Sequence, residues 1–307
     1  MWPALLRWDA RRTAIPDREG GTSGWPRGVW GASFPSVDRS GPTSDARGRM
    51  TRLFARALAR VLPCLCVLAR ATAAQEQALP FAVGEVLTYQ VRISRLGDVG
   101  TGRMWIEGPA VERGVTVWLF RSEIKAGKGP IRAVDRTASW FDPRAMGIVR
   151  FEKVEHHVLS NSQERVTIDR AASRWSDEAG PSGALASERP LDELSFLYFL
   201  RTLPLDRDTV LRVDRHFDAA RNPTIIRVLG RDTLTTPAGI FRTRVVEMEV
   251  RDPKRYRGTG IIRIHLYEGA CRIPIRIESR MPVLGVTTLT LTGWTHAPLY
   301  PAALPCE

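Results

Sequence analysis

Three short stretches of this 307-residue chain carry side chains able to do chemistry. In Asp214-Arg215-His216-Phe217-Asp218, the residues Asp214, His216 and Asp218 alternate. On a β-strand they would share one face, as the ligands of a divalent cation must. Surface salt bridging is the competing reading, because no other region supplies a further ligand. Glu155-His156-His157 is the second metal-like cluster. Adjacent strand residues point to opposite faces, so both imidazoles cannot easily reach one ion, and a solvated turn or strand edge is expected. Ser195 lies in a helical pattern with no histidine nearby in sequence, where a hydroxyl bonds its own backbone or a neighbour. No nucleophile elbow, zincin, P-loop or dinucleotide fingerprint occurs. No catalytic residue and no cofactor are therefore assigned.

The residues suited to binding are different. Arg201 emerges from an otherwise apolar helix, so its charge must be paired or must reach water. It would contact an anion or a lipid headgroup at a mouth, or form a salt bridge to Asp192, Glu193 or a strand acid. Tyr198, Trp105, Trp118 and Trp140, with Phe141, Trp175 and Trp294, are candidates to line an apolar cavity; core packing accounts for the same residues. Cys271 and Cys306 are an even pair downstream of a signal-like segment, either a disulfide tying the C-terminal tail to a strand or two free thiols.

The element that positions these groups is Leu191–Leu205. Asp192 is placed to cap a helix and Glu193 to complement its dipole. Phe196, Phe199, Leu200 and Leu203 fall at helical spacing, and Leu194, Leu197 and Tyr198 widen the apolar stripe until the helix must be buried. Pro204 is expected to stop it. Strand patterns fill the rest. Leu87, Tyr89, Val91 and Ile93 alternate with polar residues, as do Ile262, Ile264 and Leu266, then Ile273, Ile275 and Ile277, then Leu289 and Leu291. One apolar and one wet face mean an antiparallel sheet covered on one side. The segments 210–217, 224–229 and 232–235 read as three strands, and Thr236-Pro237-Ala238-Gly239 as a tight turn. The fold expected is all-β: a curved antiparallel sheet or open β-barrel with one buried helix.

Residues 50–74 have the layout of a signal peptide, with Arg52, Arg56 and Arg60 before a short apolar run and small residues at Ala71–Ala74. Residues 1–49, rich in Arg, Gly, Pro, Ser and Trp, are expected to lie upstream of the true start at Met50 or to form a disordered extension. A single β-rich domain is expected over 75–297, with a tail over 298–307. The whole chain has 45 basic and 33 acidic residues; residues 1–49 hold 8 and 5 of these and 50–74 hold 4 and none, leaving a net +5 on 33 and 28. Such a mild, scattered excess argues against nucleic-acid binding, which needs a clustered basic face, and leaves room for peripheral contact with anionic membranes or ligands.

Four stretches carry a family resemblance: P-F-A-V-G-E-V-L-T-Y from Pro80, D-E-L-S-F-L-Y-F-L-R-T-L-P-L from Asp192, T-T-P-A-G-I-F-R-T from Thr235, and R-I-P-I-R-I-E-S from Arg272. They resemble the bacterial exported proteins of the domain-of-unknown-function 3108 family. The resemblance implies an envelope protein on a β-rich, lipocalin- or lipoprotein-carrier-like scaffold, and brings no established activity or cofactor. Members often carry an acidic pair before the R-I-P motif, where this chain has Glu268-Gly269-Ala270-Cys271.

The leading functional expectation is a periplasmic, non-enzymatic protein enclosing an apolar small molecule or lipid-like ligand. An envelope assembly factor holding another envelope protein is the second reading. A hydrolase with an unrecognised site, to be probed by substituting Asp214 and His216, is the third.

Overall fold

The structure, a computed structural model, describes residues 79–129, 131–158, 160–206, 208–281, 285–295 and Cys306. The expected extension and signal segment, and the tail apart from Cys306, lie outside the described residues.

The fold is a 14-stranded antiparallel sheet with one substantial helix. Its first half is a meander of β1 (Val86–Ile93), β2 (Gly97–Glu112), β3 (Val115–Lys128), β4 (Ile131–Asp142), β5 (Gly147–His157), β6 (Ser160–Asp169), β7 (Arg174–Asp177) and β8 (Ser182–Ala184). Helix α1 (Glu193–Leu200) follows. The second half comprises β9 (Val210–Val213), β10 (Thr224–Thr236), β11 (Gly239–Asp252), a four-residue helix α2 (Pro253–Tyr256), β12 (Gly258–Tyr267), β13 (Pro274–Met281) and β14 (Gly285–Thr295). Strand β14 returns to pair with β1, so the chain's first and last strands sit in mid-sheet and β8 and β9 form the edges. Among the described residues the sheet is not closed by a strand ladder.

A different device joins its edges. The segment after β8 meets the segment after β9 through an antiparallel bridge, Leu185 to Asp218, and a parallel one, Leu191 to His216. Leu191 N–H donates to Arg215 O (2.7 Å), and Phe217 N–H donates to Leu191 O (3.0 Å). Unpaired edges invite association with other strands; here the connection that holds the helix also stitches the seam. This corrects the strand expected over 210–217. Strand β9 stops at Val213 because the next residues bond to the helix approach rather than to β10. Conversely, β10 is one strand over 224–236 where two were expected, carrying a bulge between Val228 and Gly230.

The alternation in the sequence puts Leu87, Tyr89, Val91, Ile264, Leu266, Ile275 and Leu291 in the core. Helix α1 fills the space they enclose. The Asp192 carboxylate accepts from Leu194 N (2.8 Å) and Ser195 N (2.9 Å), while Ser195 Oγ accepts from Asp192 N (2.9 Å). Ser195 is thus occupied in capping. The helix ends at Leu200, short of Pro204, because the chain tightens into bonds from Thr202 N to Phe199 O and from Leu203 N to Leu200 O. The Arg272 guanidinium then takes the carbonyls of Arg201 and Leu203 in place of helical N–H groups.

Below the helix, Phe120 stacks on Phe141 at 4.7 Å and lies 4.2 Å from the Tyr198 ring, with Phe81 edge-on to both Phe120 and Tyr198. Phe120→Ala should cost about 3–5 kcal/mol of unfolding free energy. Val111→Ala, at a position 73% exposed, should stay within about 0.5 kcal/mol. Urea denaturation of both variants checks the contrast.

Candidate functional site

Arg201, at the C-terminal end of α1, is not at a mouth. It and Glu85 are each 1% exposed. Its Nη1 donates to Glu85 Oε1 (2.6 Å) and its Nη2 to Glu85 Oε2 (2.7 Å), a bidentate pair. Nη2 also donates to Pro80 O (2.6 Å), and both Nε (3.0 Å) and Nη2 (2.7 Å) reach Cys271 O. Burial works against the charge, but Glu85 more than offsets this and raises the Arg201 pKa. Of the two readings of Arg201, the geometry is that of a salt bridge to an acid at the start of β1. Cys271 in turn is bonded to Cys306, with Cα atoms 4.7 Å apart.

The aromatic candidates are brought together only in part: Trp118, Phe141 and Tyr198 all pack against Phe81, while Trp105 and Trp140 stack with arginines instead. Trp118 lies edge-on to Phe81 at 6.3 Å, on the inner side. Trp105 alternates with the buried Met104 and Ile106 and so faces outward, donating to Glu107 (2.7 Å) beneath the Arg103 guanidinium. Trp140 lies under Arg150 at 4.7 Å. Tyr198 is buried in the aromatic core; burial pushes its phenol pKa up, and its Oη has no hydrogen-bond partner among the described residues.

Asp214, His216 and Asp218 do not converge, because the strand that would have aligned them ends at Val213. Asp214 pairs with Arg212 (3.1 Å), Asp218 accepts from Ala220 N (3.0 Å), and His216 Nδ1 accepts from Asp218 N (3.1 Å). Among the described residues no group of three His, Cys, Asp or Glu could hold a metal ion. His156 and His157 bond separately, to Asn161 and to Asp135.

His216 instead joins a charged cluster at the seam. Glu193 lies 3.0 Å from Lys153 Nζ, 3.5 Å from Arg221 Nη1 and 3.9 Å from His216 Nε2, and Arg221 also pairs with Asp252 at the end of β11. Burial would raise the Glu193 pKa, but Lys153, His216 and Arg221 hold it well below the usual carboxylate range. Beside it, burial and then the Glu193 charge push Asp192 up to about 7, against the hydrogen bonds from Ser195, Ser139 and Leu194.

Sequence reasoning missed the feature most like a binding site. A cleft of about 380 Å³ lies beyond the end of α1, lined by the apolar Pro204, Leu205, Leu266 and Tyr267 and by the charged Asp206, Arg231, Arg244, Glu268 and Arg272. Register explains it. Val228 pairs with the buried Val246; the bulge then lets Gly230 oppose Val245 and Arg231 oppose Arg244. Arg244 in turn opposes Leu266. A one-residue shift exchanges the faces of a strand, so Arg231 rather than Asp232 joins the inner row. The bulge's only trace in the sequence is Gly230, which has φ of 141° and so favours glycine. Arg231 also borders a second cleft of about 300 Å³, with Asp232 and His265.

A family described as "Protein of unknown function (DUF3108)" matches residues 88–292. The chain belongs to that family. No curated protein matches it. Among solved structures it is similar to a β-barrel-like protein of the domain of unknown function DUF1849 from Brucella abortus, with a TM-score of 0.50, 11% identity, and coverage of 71% of this chain and 99% of that one. A candidate exported protein with a YmcC-like fold from Bacteroides fragilis covers the same shares at 12% identity and a TM-score of 0.28. The Brucella likeness concerns the fold alone, which it places among β-barrel-like proteins. No helix of the described residues is long and apolar enough to cross a membrane.

Two outcomes follow from these geometries. Glu85→Gln leaves the buried guanidinium without its counter-charge and should cost about 3–5 kcal/mol. Arg201→Met combined with Glu85→Leu should lose less than the sum of the single changes; a double-mutant cycle by urea unfolding measures this. The second concerns Asp192. Its folded pKa, about 7, stands above the ordinary 3.8, so the folded state binds the extra proton. The stability contributed by Asp192 is therefore full below about pH 4 and is lost as pH rises toward 7. Asp192→Asn should remove that loss, so the wild-type minus variant difference in unfolding free energy should fall across this window in a pH series.

Proposed function

We propose that the protein is an exported, non-enzymatic binding protein of the cell envelope that holds a lipid-like ligand at the mouth of its curved sheet. The observation carrying this reading is the mixed lining of the cleft beyond α1, which sets the apolar Pro204, Leu205, Leu266 and Tyr267 beside the guanidiniums of Arg231, Arg244 and Arg272. Its volume of about 380 Å³ falls in the range of small-molecule sites. Such a cleft suits a molecule with one apolar and one polar end.

Export is supported by the signal-like layout of residues 50–74 and by the Cys271–Cys306 bond, since disulfides persist in oxidising compartments. The non-enzymatic reading is supported by the commitments of the reactive groups: Ser195 caps α1, Asp214 pairs with Arg212, and burial lowers the pKa of His216 within the seam cluster. The expected ligand position moves accordingly. Phe120, Phe141 and Tyr198 pack against one another, and the ligand is assigned to the mouth rather than among them.

Native mass spectrometry of the protein purified gently from an oxidising periplasm tests the proposal. A reproducible adduct that extracts into organic solvent is the expected result. A bare chain mass, together with a reproducible partner on crosslinking in cells, would replace it with the assembly-factor reading.

A further inference from the structure

The mouth cleft concentrates like charge. Arg231 and Arg244 are direct cross-strand neighbours on the same face, and like charges placed directly opposite are destabilising. Arg242, two residues along β11, adds a third guanidinium on that face, and Arg272 also lines the cleft. Arg231, Arg242 and Arg244 thus share one carboxylate, Glu268, and Asp206 is the other acid lining the cleft.

Glu268 is the common partner. Its Oε1 lies 2.7 Å from Arg231 Nε and 3.6 Å from Arg244 Nη2, and its Oε2 lies 3.6 Å from Arg242 Nε. The contact is nevertheless poor. Glu268 Oε1 is buried and accepts no aligned hydrogen bond from any of them. Glu268, just past the end of β12, thus neutralises charge without engaging the paired donors of these guanidiniums. A tetrahedral oxyanion presents more acceptor oxygens and more charge, and guanidinium forks suit it.

We infer that the cleft takes a phosphate-bearing anion, which displaces the Glu268 carboxylate from Arg231 and Arg244, and that Glu268 is an internal competitor setting the affinity. This rests on the mouth-binding reading proposed above and gives it a ligand chemistry. The phosphate could belong to an amphiphile whose body lies along Leu205, Leu266 and Tyr267, or could be free in solution; both would meet the same guanidiniums.

Isothermal titration calorimetry at low ionic strength, on the purified protein and its variants, separates the possibilities. The probes are inorganic phosphate, dihexanoyl phosphatidic acid below its micelle concentration, and hexanoate as the phosphate-free control. The expected result is binding of phosphatidic acid ahead of inorganic phosphate and hexanoate. Glu268→Gln should tighten both phosphate probes about two- to fivefold, the scale of removing one partly exposed ion pair, and Arg244→Gln should weaken both. Glu268→Ala is the second variant, with thermal unfolding confirming that each variant folds.

Equal affinity for inorganic phosphate and phosphatidic acid, with both tightened by Glu268→Gln, would uphold the phosphate site and overturn the lipid-like ligand. Phosphate binding that Glu268→Gln and Glu268→Ala leave unchanged or weaken would overturn the internal competitor and leave the mouth-binding reading standing. Absence of phosphate binding in wild type and variants alike would overturn the inference, while an extractable adduct in the native mass spectrum would still uphold a lipid-like ligand.

Discussion

The structure depends on one buried guanidinium. Arg201 sits where four parts of the chain meet: the Pro80 approach, the start of β1 at Glu85, the end of α1, and the β12–β13 loop at Cys271. A charge removed from water costs several kcal/mol unless hydrogen bonds and a counter-charge replace its hydration. Arg201 has both, in bidentate contact with Glu85 and with two main-chain carbonyls. The rings of Phe81 and Tyr198 lie 5.4 and 5.5 Å from its carbon centre, within range of a cation–π contact. The Cys271–Cys306 bond ties a tail residue to the loop whose carbonyl Arg201 holds. An apolar side chain at position 201 could fill the space but could not orient three backbone segments.

The second constraint is topological. Sequential hairpins lead outward from β1 to β8, and sequential hairpins lead inward from β9 to β14. The two edges are therefore joined by the one long connection, and that connection contains α1. Filling the interior and closing the seam become the same event. The charged cluster around Glu193 links β5, α1, the segment after β9 and the end of β11.

At the mouth the same fold leaves a residue of electrostatic conflict. Apolar contacts end at Leu266 and the neighbouring row continues as Arg244 and Arg231. Arg272, which also lines the cleft, serves the carbonyls that end α1. The cleft is thus framed by the groups that terminate the helix, and its composition follows from where the hydrophobic core stops.

By itself the sequence determined the all-β class, the inward faces of β1, β12, β13 and β14, the burial of α1 and its Asp192 cap. All of these follow from local rules, the two-residue period of a strand and the side-chain chemistry of a helix terminus. It also required that Arg201 be paired, but not with what. Glu85 lies 116 residues away, and no spacing rule reaches that far. Tertiary structure alone decided that Asp214, His216 and Asp218 diverge, since β9 surrenders its last residues to the seam. It decided likewise that Trp105 and Trp118 face opposite ways. Most of all, it decided the mouth: a single bulge between Val228 and Gly230 moved Arg231 to the inner row, and register, which depends on the partner strand, is the quantity a strand cannot specify alone.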